Sequence, residues 1–119
     1  MPARIPCATA ESNVANTTDR LISEKSDVAA AVVRAIVKTQ TALKADPARA
    51  TEVGCKLFPP SEAELIAELI RRDLPYYDAS ISQEFVAGMN EFCRTAGILK
   101  GDPAYDQVVA TEFRSYWNA

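Results

Sequence analysis

The sequence predicts a mainly α domain, with at most one or two short strands near its N-terminus. Three observations lead there. From Val28 to Ala96 the apolar residues recur at three- and four-residue steps, the period of helices with one face turned to a core. Pro47, Pro59, Pro60, Pro75 and Gly97 fall between these runs, where they start and stop helices. At 119 residues the chain is long enough for one core and too short for two, and the short proline-punctuated links leave no domain boundary, so residues 1–119 are read as a single domain.

Ile5 to Ala10 and Asn13 to Thr17 carry weak strand character, and Ile5-Pro6 reads as extended because the residue before proline is pushed out of the helical region. Thr17 or Thr18 caps a short helical turn running to Lys25. Ser26 offers an N-cap oxygen and Asp27 a negative charge to the next and longest helix, Asp27 to Ala45. Val28, Val32, Ile36, Gln40 and Leu43 step by about one turn along it, and Val33 and Val37 widen the stripe. Asp46-Pro47 ends it and opens a second helix to Leu57, with proline at the first position and aspartate as cap.

Pro59-Pro60 stops that helix, and Ser61-Glu62-Ala63-Glu64 has the spacing of a capping box, in which serine and glutamate satisfy each other's backbone N–H groups. Ile66, Leu69, Ile70 and Leu74 give this third helix its apolar face before Pro75. Ser82 starts a fourth, whose Phe85, Val86, Met89, Phe92, Cys93 and Ala96 form a core stripe, with Phe92 expected to be a buried aromatic. Gly97 closes it in a left-handed turn, with Ile98 placed to pack back. Two short helical turns are expected in Gly101 to Ala119, which holds Val108, Val109, Phe113, Tyr116 and Trp117.

The charge of -3 is small and of the wrong sign for phosphate-backbone binding, so nucleic acid is not an expected partner. With no histidine, the chain lacks the usual general base and the commonest zinc ligand. Ser61, Ser80, Ser82 and the cysteines have no activating base in their patterns, and the expectation is a non-enzymatic protein without cofactor or metal. Cys7, Cys55 and Cys93 lie far apart, in an odd count and without a C-x-x-C pair, and are read as buried free thiols. Val28 to Val37 contains Arg34 and is far too short for a membrane span.

Glu62, Glu64 and Glu68 sit where a helix N-terminus favours negative charge, and Asp102 is a turn former before Pro103; both readings outweigh paired-carboxylate or cation chemistry, in which Asp102 would join Asp106. Arg71 and Arg72 are a candidate anion site, although adjacent arginines at a helix end also complement the C-terminal dipole, the commoner reason for them. Tyr76, Tyr77, Tyr105, Phe113, Tyr116 and Trp117 are a candidate stacking cluster, against the commoner reading of aromatics that cap a core.

The runs TTDRLISEKSDVAAAVVRAIVKTQ, KADPARATEV, AELIRRDLPYYD, EFVAGMNEFCRTAGILKG and YDQVVATEF, in that order, cover about Asn16 to Phe113. As an ordered set they resemble the C-terminal part of the substrate-binding proteins of ABC importers, in the group that handles nitrate, sulfonates, taurine and thiamine precursors. The resemblance implies the helical C-terminal third of a two-lobe α/β protein of the periplasmic-binding-protein type. The joint RRDLPYYDASIS is then architectural, since Pro75 ends a helix, the tyrosines cover its apolar end, and Ser80 to Ser82 restart the chain in a new direction.

The same resemblance implies a small anionic or nitrogen- or sulfur-containing solute, captured only with the preceding lobes, an ABC permease as partner, and a periplasmic location. No signal peptide is visible in MPARIPCATAESN, which leaves the cytoplasm as the other location. Ligand contacts lie mainly in the segments that precede this region in the family, and within the chain the nearest candidates are Ser12 and Asn13, beside the crossover. The alternative is a stand-alone helical interaction module. Its two apolar stripes on the long helix predict a homodimer or higher oligomer that buries Val33 and Val37.

Overall fold

The computed structural model describes residues 3–10 and 13–118. Its first elements are two strands, β1 (Ala3–Ala10) and β2 (Asn13–Thr18), paired antiparallel. Ala3 stands opposite Thr18 and Ala10 opposite Asn13, and the register slips between Arg4 and Cys7, where β1 holds the extra residue. Pro6 lies in that bulge, a position where a paired strand tolerates proline.

Helices follow: α1 (Asp19–Glu24), α2 (Ser26–Ala45), α3 (Ala48–Leu57), α4 (Pro60–Asp73) with a 3-10 turn at Leu74–Tyr76, α5 (Gln83–Thr95), α6 (Tyr105–Val108) and a last 3-10 segment at Thr111–Tyr116. The fold is thus mainly α. Several ends are set by the expected caps. The Thr18 hydroxyl accepts from the Leu21 N–H at 3.1 Å, Asp46 Oδ1 from Ala48 at 3.1 Å and Ser82 Oγ from Phe85 at 3.0 Å. Gly97 sits at φ +74°, with its N–H on the Arg94 carbonyl and that of Ile98 on Cys93, the double bond pattern of a Schellman turn.

Two starts differ from what the sequence predicts. Ser26 lies inside α2, whose N-cap is Lys25, and α4 begins at Pro60, so Ser61 is within the helix and the capping box with Glu64 does not form. Proline at the first helical position, its φ already helical, starts α4 one residue ahead of the serine.

The main core gathers Ile22 of α1, Ala29, Ala30, Val33 and Val37 of α2, Ala79 and Ile81 of the joint, Val86 of α5, and Val109, Ala110, Phe113 and Trp117 of the C-terminal segment. This corrects the association face expected on α2. Val33 is 0% exposed within one chain, because the C-terminal segment packs over it together with Val37, while Val28 and Val32 are the valines of α2 left in solvent. Phe92 is corrected too: it is 63% exposed, since α5 is rotated to bury Val86 and Asn90, and Ile98 is likewise exposed rather than packed back. Cys55 is exposed and Cys93 half-buried, not the buried thiols expected, and the Cys7 side chain lies outside the described residues.

Polar contacts tie these elements together. The Arg4 guanidinium donates to Asp19 and, at 2.7 Å, to Glu112, joining β1 to α1 and to the C-terminal segment. The Tyr105 hydroxyl donates to the Ile81 carbonyl. Buried Asn90 donates to the Pro103 carbonyl at 3.1 Å and to Asp102 Oδ1 at 3.3 Å, and Arg94 reaches the same carboxylate at 2.7 Å.

α3 and α4 supply no residue to this core. They pack on each other as a hairpin whose small residues allow a close crossing: a Cβ added at Gly54 would lie 3.4 Å from that of Ala63, and Ala63 and Ala67 are buried at the contact. The projecting hairpin makes the molecule long, 46 × 34 × 23 Å, with a radius of gyration of 16.1 Å. A compact chain of this length has about 13 to 14 Å.

Candidate functional site

Among the described residues there is an apolar groove of about 340 Å³ where the hairpin meets the second half of α2. α2 contributes Thr39, Ala42 and Leu43, α3 contributes Arg49, Ala50, Val53 and Gly54, Phe58 follows α3, and α4 contributes Ile66 and Ile70. The placement follows from local sequence: Asp46-Pro47 turns the chain so that α3 folds back beside α2, and Pro59-Pro60 reverses it again into α4. Gly54 on Ala63 then brings α3 and α4 close enough that their larger residues line one trough instead of filling the gap.

Its chemistry is that of an apolar contact surface. The Thr39 hydroxyl already donates to the Ala35 carbonyl at 2.8 Å, which leaves Arg49 at the rim as the charged wall residue among those described. A small polar anion needs several converging donors, and this trough presents one guanidinium. The surface continues outward, because Val53, Leu57, Leu65 and Leu69 on the same hairpin are exposed.

The residues singled out in the sequence lie elsewhere. Arg71 and Arg72 stand exposed in the last turn of α4, outside the groove. Arg72 Nε donates to Asp73 Oδ1 at 2.8 Å; that bond raises the guanidinium pKa above its ordinary value and holds the Asp73 carboxyl below its own. Asn13 opens β2 and its side chain is outside the described residues, as is Ser12 altogether. The aromatic set divides: Phe113 and Trp117 are buried in the core, Tyr105 and Tyr116 pack against it, and Tyr76 stays exposed instead of covering the end of α4. Arg34 lies over the Tyr116 ring at 5.2 Å and Arg114 over Tyr105 and Trp117 at 5.7 and 5.8 Å, so cations shield the outer ring faces.

Among the described residues no cluster of carboxylates and cysteines could hold a metal ion, and no helix is long and apolar enough to cross a membrane. The groove does leave a mark in the sequence, in apolar residues on both sides of a Pro-Pro break with glycine and alanine at the crossing, but that pattern fits a filled core equally well. No known protein family, curated protein or solved structure matches the chain.

Proposed function

We propose that this chain is the helical part of a solute-binding protein of the ABC-importer type that handles nitrate, sulfonates, taurine or thiamine precursors, acting as scaffold and not as an enzyme. The observation that carries the reading is the mismatch on α5. Met89 and Phe92 have the spacing of a core stripe, yet both are exposed, with Ile98 beyond them, while Val86 and Asn90 face the core of this chain. An apolar second face is what a helix needs when it also packs on a larger body, and the ordered resemblance over residues 16–113 names that body as the α/β layers of a two-lobe protein.

In this reading the β hairpin and α1 are the crossover from the second lobe, and α2 to α5 complete the first. Solute-binding groups then belong to strand-end loops of those lobes. The apolar groove and the paired Arg72 supply no closed polar cleft.

The test is a graft. The chain replaces the corresponding C-terminal part of a taurine-binding protein, and taurine binding is measured by calorimetry. Binding that returns, together with strong protection of α5 amides in hydrogen exchange, is the expected result. A hybrid in which the receiving lobes fold and α5 exchanges as in the isolated chain would refute the reading. The isolated chain is expected to show no saturable heat with nitrate, taurine or methanesulfonate.

A further inference from the structure

We propose that α4 is a self-association helix: two copies of this chain meet antiparallel about a two-fold axis, Leu65 of one on Leu69 of the other, and Glu62 of one beside Arg72 of the other. This goes beyond the solute-binding reading and does not depend on it.

Glu62, Leu65, Leu69 and Arg72 follow one another at steps of three, four and three residues, which puts them on one stripe of α4. The stripe points away from Ala63 and Ala67, the residues that face α3, and all four of its side chains are exposed, Leu65 at 57% and Leu69 at 40%. Two leucines one turn apart, in water and flanked by opposite charges, form the seam of an antiparallel helix pair.

The order along the stripe is self-complementary. It is symmetric about position 67, with an acid at the N-terminal end and a base at the C-terminal end. A parallel pair would set Glu62 against Glu62; the antiparallel pair sets each glutamate against an arginine and each leucine against a leucine, as an isologous contact requires. The helix dipoles are then opposed as well. Arg72 already holds Asp73, but its side chain is 69% exposed and its guanidinium has donors for a second carboxylate. Phe58 and Tyr76 stand exposed just beyond the two ends, and the same register sets the Phe58 end of one helix beside the Tyr76 end of the other. Ile66 and Ile70, next round the helix, carry the apolar surface on into the groove.

Sedimentation equilibrium on the full chain, from about 5 to about 500 µM, is the direct test, because a contact of this extent lies at the weak end of specific interfaces. The apparent mass is expected to rise from 12.9 kDa toward twice that value. Glu62→Arg and Arg72→Glu each place two like-charge contacts in the dimer and are expected to weaken association about tenfold. The double variant Glu62→Arg/Arg72→Glu restores both pairs and is expected to return to within about threefold of the parent. All these positions are exposed, so circular dichroism should be unchanged in every variant. A monomer at every concentration, association insensitive to the single reversals, or a double variant no better than either single one would each overturn the proposal.

Discussion

Phe113→Ala should remove a large part of the stability of this protein. Phe113 is 2% exposed and is the largest fully buried side chain among the described residues, set where the C-terminal segment crosses the buried face of α2. Truncating a buried phenylalanine costs about 3 to 5 kcal/mol, from the lost apolar transfer and the cavity left behind. Domains of this size are stable by about 5 to 15 kcal/mol, so the change consumes about a fifth or more of the total. With a urea slope of about 2 kcal/mol/M, the midpoint should fall by about 1.5 to 2.5 M in a far-UV circular dichroism titration. Phe92→Ala is the internal comparison. Its ring is mostly in solvent, and its midpoint should move by less than about 0.5 M. Equal losses for the two, or a small loss for Phe113, would refute the placement of the core between α2 and the C-terminal segment.

Gly97→Ala should cost about 1 kcal/mol by the same titration, since φ is +74° there and no neighbour lies within 4 Å of an added Cβ, which leaves backbone strain as the whole effect. Arg4→Met should cost about 1 kcal/mol, because Asp19 and Glu112 are partly exposed and regain water; hydrogen exchange of the β1 amides should accelerate in the same variant. Burial, and then the charge of Asp73, push the Tyr77 phenol above its ordinary range. The folded pKa is raised over the unfolded one, so this contribution is intact below pH of about 10 and lost as pH rises through the folded value. Urea midpoints compared at pH 8 and in that alkaline window should therefore fall less in Tyr77→Phe than in the parent.

The helical elements were legible because their signals are local. Asp46, Ser82 and Gly97 act on backbone groups within a few residues, and each marks a helix end in the structure as its chemistry requires. Ser61 shows the limit even of local signals: two starts competed, and Pro60 prevailed over the serine one residue later. The candidate site was legible only in its ingredients. Ile66 and Ile70 read as an apolar face, but nothing in their spacing tells whether that face meets a core or borders an open trough.

By itself the sequence determined that the chain is mainly helical, where most helices begin and end, and that it contains no histidine. The tertiary structure alone decided which side of each helix is covered. Val33 and Val32 are adjacent and chemically identical, yet one is fully buried and the other half in water, because the C-terminal segment lies across one side of α2 only. Phe92 stands in water and Phe113 in the core for the same kind of reason. Periodicity states that a helix has an apolar face, whereas burial depends on contacts between residues tens of positions apart, and an amphipathic stripe carries no record of what will reach it.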